Sequence, residues 1–250
     1  MKNIRCLIAA SVVALCLSIT AADASVVVGA TRVVFQEQEH EATIRLTNEG
    51  DVPALVETWV DSGNRESSPD KADSPFTLSP PIFRIEPHRG QTIRMIYSQD
   101  PLPQDKESVF WLNVLEIPPM PKMAEGESKN MLQFAFRSRL KVFFRPKNLP
   151  GNPLKASEQV TWKLIHGESD QGCLLQVINP TPYHITFTEI DTSIGAQKFT
   201  SDGGMVDPQG PLTFQLKGLQ KCPAVSADIV YTTINDYGGA VSYKGTATHE

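Results

Sequence analysis

The chain has 250 residues, of which 40% are hydrophobic and 20% charged, and its formal net charge is −5 at pH 7. A chain of this length and hydrophobic fraction has room for two ordinary globular domains. Its acidic balance argues against a nucleic-acid partner, because phosphate binding depends on an excess of Lys and Arg.

Residues 1–24 have the pattern of a secretory signal peptide. A positively charged start is followed by an apolar stretch over residues 7–19, and small residues at positions 22 and 24 precede Ser25. The apolar stretch is short for a membrane span, and no other long apolar run follows it. The pattern therefore favours cleavage after Ala24 and export over a membrane anchor.

The first half of the exported chain shows short β-rich runs and no amphipathic helix pattern. Turn-forming clusters at 48–51 and 61–64 separate some of these runs. This spacing is typical of a β-sandwich, which we expect over residues 25–145. The predicted strands are 25–35, 41–47, 54–60, 92–97, 110–117 and 132–144.

The last of these runs alternates strictly, with Leu132, Phe134 and Phe136 on one face. Large aromatic side chains on a strand are expected to be buried against another element, which another protein would supply. An ordinary core-facing strand is the alternative. Basic residues crowd the middle of the same run, at Arg137, Arg139 and Lys141.

A proline-rich segment follows, and residues 146–153 are predicted to be a linker. Pro146, Pro150 and Pro153 deny hydrogen bonds to a sheet and stiffen the connection. A second all-β domain is expected over 154–250, with turns at Gly203-Gly204 and at 207–210. Its predicted strands are 160–165, 174–178, 185–190, 212–216, 227–233 and 239–243.

Two of the four cysteines, Cys6 and Cys16, lie in the predicted signal peptide, so the exported protein retains Cys173 and Cys222. A single pair of cysteines in an exported chain predicts a disulfide. A catalytic or zinc-binding cysteine is the alternative, but neither a C-x-x-C pair nor a His-rich cluster accompanies these residues.

Five separated motifs occur in a fixed order: GATRVVF at 29–35, PQDKESVFWLN at 103–113, LKVFFRP at 140–146, NPTPY at 179–183 and INDYGG at 234–239. Together they resemble the periplasmic chaperones of chaperone–usher pilus assembly, the PapD-like family. The resemblance implies an all-β fold, with two immunoglobulin-like β-sandwich domains in an L-shaped arrangement. It also implies a periplasmic location, and because the sequence carries no catalytic or cofactor-binding motif, we expect no catalysis and no cofactor.

In this family the chaperone lends a strand to an incomplete pilus subunit, a pilin or an adhesin, and delivers it to an outer-membrane usher. The resemblance implies that Leu132, Phe134 and Phe136 contact the pilin. The loop before them looks short, as in the subfamily that builds rod-like pili. Exposed aromatics also make self-association of the free protein plausible.

The resemblance also assigns two charged groups of residues. Arg32 and Lys141 occupy the positions that anchor the pilin's C-terminal carboxylate, which suits a guanidinium and an ammonium group. Alternation places Lys141 on the face opposite Phe136, so we expect a bulge or twist to re-aim it. Glu107, Arg145 and Asp236 match an interdomain ion network that is structural rather than catalytic.

The sequence argues against two other classes of function. An exported adhesion protein or pilus subunit would be a single incomplete sandwich with a strand-like N-terminal extension. A hydrolytic or carbohydrate-binding sandwich would need paired carboxylates or exposed aromatics in a cleft, and none is identifiable. The histidines are scattered without metal-ligand spacing, at His40, His88, His166, His184 and His249, and no nucleotide-binding or G-x-S-x-G motif occurs.

Overall fold

The computed structural model describes residues 25–120, 133–167 and 172–249. The predicted signal peptide, the loop before the last strand of the first domain, and Leu132 lie outside these residues. The described chain is almost entirely β, with two short 3₁₀ helices at Pro69–Lys71 and Pro153–Glu158. Within it, no helix reaches the length and apolarity that crossing a bilayer requires.

The first domain contains β1 to β9 and the second contains β10 to β16. The strands of the first are β1 Val26–Val28, β2 Arg32–Gln36, β3 Glu41–Asn48, β4 Ala54–Asp61, β5 Phe76–Ser79, β6 Ile82–Ile85, β7 Gly90–Tyr97, β8 Ser108–Ile117 and β9 Phe136–Arg145. Those of the second are β10 Thr161–His166, β11 Cys173–Ile178, β12 Ile185–Ile194, β13 Gln197–Val206, β14 Pro211–Gln215, β15 Ala227–Ile234 and β16 Ala240–His249.

Two sheets form the first domain, with strand orders β1-β3-β7-β5 and β2-β9-β8-β4-β6. Their apolar faces pack on each other, as alternation along each strand requires. Aromatic rings fill one part of this core: the Phe35 and Phe76 centroids lie 5.2 Å apart, and those of Tyr97 and Phe144 lie 4.7 Å apart. This packing confirms the predicted sandwich.

The predicted single strand 25–35 is wrong, because the chain changes sheets within it. β1 pairs with β3, whereas β2 pairs in parallel with β9. The Gly29 N–H donates to the Arg45 carbonyl at 2.9 Å just before the change. The sequence marks the switch only by the Gly29-Ala30-Thr31-Arg32 break between two apolar runs, after which the buried positions move from Val26 to Val33 and Phe35. The switch places Arg32 beside Lys141, in the middle of β9.

Three strands were missed by the sequence analysis: β5, β6 and β13. The predicted Gly203-Gly204 turn is also wrong, since both glycines lie inside β13. The β12–β15 pairing has a register shift between Phe187 and Glu189, and a Cβ on Gly203 would lie 2.3 Å from the Phe187 carbonyl oxygen. Glycine is therefore required here for a close backbone approach at a bulge.

The second domain is one continuous sheet in the order β13-β12-β15-β16-β10-β11-β14. Residues from both of its ends share one core, so the sheet folds over on itself. Trp162, Phe187 and Tyr231 pack together there, with ring centroids 5.1 to 5.8 Å apart. The prediction of an all-β, two-domain protein is confirmed.

The predicted disulfide is also confirmed: Cys173 and Cys222 are bonded, with Cα atoms 4.8 Å apart and a sequence separation of 49. We expect the double variant Cys173→Ala/Cys222→Ala to lose about 4 kcal/mol of unfolding free energy, since the unfolded chain regains the entropy of a long loop. Urea-induced unfolding, followed through the transition of the second domain, would measure this loss of unfolding free energy. Reduced wild type should match the variant, and equal stability of the oxidised protein and the variant would contradict the expectation.

Candidate functional site

Strand β9 has two different edges. Along one edge it pairs with β8 over its whole length, from Ser108↔Phe144 to Glu116↔Phe136. Along the other it pairs with β2 only over Lys141–Arg145. Among the described residues, the second edge of Phe136–Leu140 therefore has no strand beside it. An unpaired edge presents free backbone N–H and C=O groups to which another strand can add.

Apolar side chains lie exposed at the start of this free edge. Phe136 is 55% exposed, and Phe134, which precedes the strand, is 64% exposed. The predicted strand start at 132 is wrong, since β9 begins at Phe136. Further along the same face, Leu140, Val142 and Phe144 enter the core. The apolar face of β9 is therefore buried in the core at one end and exposed to solvent at the other.

The expected bulge in β9 is also wrong, because its pairing with β8 is regular throughout. Lys141 simply occupies the face opposite Phe136. On the neighbouring strand Arg32 is its direct partner in register, so both cations project from the same face. That face meets the second domain, and no re-aiming of the side chain is needed.

Arg32 and Lys141 both reach across to the second domain. The Lys141 Nζ atom donates to the Thr186 Oγ1 atom at 3.1 Å, and Arg32 Nη1 donates to the Ile234 carbonyl at 3.1 Å. The Phe143 ring lies beneath the Arg32 guanidinium, with its centroid 5.7 Å from Cζ. The two side chains therefore line the crevice between the domains.

The positive charges of Arg32 and Lys141 are only partly balanced by their surroundings. Burial and, to a smaller extent, the nearby positive charge of Arg32 together lower the pKa of Lys141 to about 8. Burial also lowers the pKa of Arg32, whose buried Nε has no hydrogen-bond partner. Two desolvated cations with a spare donor favour a bound anion, and a carboxylate matches both groups.

The structure brings Glu107, Arg145 and Asp236 together at the domain junction. Arg145 Nε donates to Glu107 Oε1 at 2.7 Å, while its Nη1 and Nη2 atoms donate to Asp236 at 2.7 and 3.1 Å. Burial opposes the charge of Arg145, but its bonds to Asp236 and Glu107 outweigh that effect and raise its pKa. The side chains of Arg145 and Glu107 are only 9% and 2% exposed.

His184 belongs to the same junction but was missed by the sequence analysis. Its backbone N–H donates to Glu107 Oε2 at 2.8 Å, and its ring Nδ1 lies 3.3 Å from the same oxygen. Its ring also packs on Phe143, with centroids 5.5 Å apart. The only signal in the sequence is its position directly after the NPTPY motif, which does not reveal the contact.

The other basic residues of β9 are held away from its free edge. Arg139 Nη2 donates to both oxygens of the buried Asp61 carboxylate at 2.7 and 2.9 Å. Arg137 donates to Asn113 Oδ1 at 2.7 Å through Nη2, and its guanidinium lies 4.7 Å from the Trp59 ring centroid. Both side chains fold onto the sheet face opposite the core, which leaves the edge accessible.

Comparison with known proteins agrees with this arrangement. A family model described as pili and flagellar-assembly chaperone, PapD N-terminal domain, matches residues 25–150. The model for pili assembly chaperone PapD, C-terminal domain, matches residues 155–245. Together these matches span both domains.

Individual relatives extend the comparison. The chaperone protein FimB/FhaD of Bordetella pertussis is 40% identical over 228 residues, which is 90% of this chain and 88% of that protein. The solved structure of the YadV chaperone has a TM-score of 0.75 and 36% identity, covering 89% of this chain and 99% of that one. A chain from the complex of the Salmonella enterica SafA pilin with the SafB chaperone has a TM-score of 0.69 and 25% identity, covering 91% and 97%. The chain therefore belongs to the PapD-like family of pilus-assembly chaperones, the family that its motifs predict.

Proposed function

We propose that this protein is a periplasmic chaperone that stabilises pilus subunits by donor-strand complementation and delivers them to an outer-membrane usher. It acts by binding, without catalysis or a cofactor. One observation carries the proposal: the free edge of Phe136–Leu140 ends at the Arg32 and Lys141 cations. The SafA pilin bound to the SafB chaperone supports a pilin as partner.

The proposed carboxylate anchor determines the direction of the added strand. A strand on the free edge lies in line with β2, on the same side of β9. If its C-terminal carboxylate binds Arg32 and Lys141, its chain runs from Phe136 towards Lys141, parallel to β9. Backbone hydrogen bonds then supply general affinity, while Phe134 and Phe136 fill the open groove of the subunit. Each such side chain contributes roughly 1.5–3 kcal/mol when fully buried.

The ion network at the junction fixes the position of the second domain, which forms the other side of the crevice. Thr186 and Ile234, which contact the two cations, both belong to the second domain. Arg145 belongs to the first domain and pairs with Asp236, two residues after Ile234. A fixed junction therefore keeps the distance between the two cations of the first domain and the residues of the second domain that contact them.

We expect Arg145→Ala to alter the interdomain angle and to lower the yield of folded protein, because Glu107 is left buried without its cation. Small-angle scattering and circular dichroism would separate a changed angle from an unfolded domain. Arg84→Ala, which removes an exposed ion pair with Glu86, is the matched control. Wild-type scattering, yield and subunit capture in Arg145→Ala would rule out the role of the network.

Subunit binding should depend on pH through Lys141. Because burial lowers its pKa to about 8, free Lys141 loses its charge above that pH, and affinity for a carboxylate should fall. Binding of a cognate pilin from about pH 6.5 to about pH 9.5 would measure this fall. Lys141→Arg should flatten the profile, since a guanidinium stays charged.

The folding stability of the free protein should change in the opposite direction. A lowered pKa means that the unfolded chain binds more protons between about pH 8 and the ordinary value of 10.5. The contribution of Lys141 to stability therefore rises with pH across that window.

A pilin-binding profile that is equally steep in wild type and Lys141→Arg would show that a group other than Lys141 titrates.

A further inference from the structure

Glu116 is a buried carboxylate of the first domain with no cationic partner among the described residues. It lies in β8 directly opposite Phe136, and the residue is 6% exposed. The structure describes two other buried acidic residues, Asp61 and Glu107, and each pairs with an arginine. Within the described part of the chain, the donors that bind Glu116 are neutral: the Val26 N–H at 3.0 Å and the Ser25 hydroxyl.

A buried carboxylate without a counter-charge is costly, and hydrogen bonds from neutral groups offset only part of that cost. One atom that can become positively charged lies close by: the backbone nitrogen of Ser25. Covalent geometry places this nitrogen within roughly 6 Å of the carboxylate, because it belongs to a residue whose hydroxyl already binds Glu116. Cleavage after Ala24 would turn this amide nitrogen into an α-ammonium group.

Ser25 is also held in position from its other side. Its carbonyl accepts a hydrogen bond from the Glu49 N–H at 2.7 Å, and the next residue, Val26, pairs with Asn48 in the β1–β3 ladder. A chain terminus fixed in this way does not fray as most termini do. Ser25, the first residue after the predicted cleavage site, is thus held in contact with Glu116.

We propose that Glu116 is the binding site for the amino terminus created by signal-peptide removal. The inference depends on cleavage after Ala24 and not on pilin binding. The ammonium and the carboxylate form an ion pair that ties β1 to β8. Since Glu116 faces Phe136, this tie lies at the base of the free half of β9. The first domain then reaches its full stability only after cleavage.

The test uses the protein purified from the periplasm, with intact mass to identify its first residue. Competitive acylation across pH, followed by mass spectrometry of the N-terminal peptide, gives the titration of the α-amino group. In wild type it should titrate about one unit or more above the usual 7.7–8.0, because the carboxylate favours the charged amine. Glu116→Gln should restore the usual range, and Glu49→Gln, at an exposed neighbouring carboxylate, should behave as wild type.

A second variant keeps Glu116 and moves the amine by inserting one glycine between Ala24 and Ser25. This variant should titrate in the usual range and unfold at a lower temperature than wild type near neutral pH. A raised amine pKa stabilises the fold below the unfolded-state value, so this difference should vanish as pH rises through the folded-state value. Identical α-amino titration in folded wild type and Glu116→Gln would overturn the inference, as would a mature chain that begins elsewhere. Loss of pilin capture alone would not affect it.

Discussion

Replacing Arg32 or Lys141 with alanine is expected to weaken subunit capture by roughly 2–5 kcal/mol. In the proposed complex each change would leave the subunit's carboxylate desolvated with half of its partners, and part of the loss would be the penalty on that unpaired charge. Folding should survive, because both cations lie outside the two apolar cores and burial already disfavours their charged forms. Recovery of a cognate pilin from the periplasm, with circular dichroism of each variant, would measure both effects.

The double variant should lose less than the sum of the two single losses, because both side chains act on one carboxylate. Lys244→Ala is a suitable control, since it removes an exposed cation from β16. Folded single variants that protect pilin as well as wild type does would refute the carboxylate anchor.

Phe134→Asp is expected to abolish complexes with subunits while leaving the free protein folded. The side chain is 64% exposed in the free protein, so a charge there remains hydrated. In the proposed complex the same charge would be buried in an apolar groove without a partner, which costs several kcal/mol. Co-purification of pilin with each variant, together with thermal unfolding of the free protein, would test both parts.

Val225→Asp provides the comparison, because it places the same charge at a 53% exposed apolar position of the second domain. That change should leave capture intact. If Phe134→Asp also recovers pilin at the wild-type level, the exposed face of β9 does not enter the subunit, and the proposed mechanism fails.

Much of the fold could be predicted because strand alternation and turn residues are local signals. The strands containing Ile44 and Ile93 alternate clearly, and an exported pair of cysteines has few other uses. The short strand β5 could not be predicted, because the proline pair at 80–81 closes it after four residues and hides its period. Strand β13 contains two glycines, which resemble a turn until the neighbouring bulge is seen.

The site depended on motif positions rather than periodicity. Arg32, Lys141 and the junction residues Glu107, Arg145 and Asp236 were selected by resemblance, and the structure places each set together. The contacts of Glu116 and His184 were not predictable, because they join residues 90 and 77 positions apart. No local pattern records which distant backbone nitrogen a carboxylate accepts from.

With the proposed carboxylate anchor, the short overlap between β2 and β9 would make binding depend on where the added strand ends. From Phe136 to Lys141, where β2 begins, the edge spans about 17 Å at about 3.3 Å per residue. A strand fixed by its last carboxylate is counted backwards from its end, so every side chain has an assigned position. One added or missing terminal residue would turn all of its inward side chains outward. The protein would then discriminate among chains by where they stop, even when their sequences are otherwise the same.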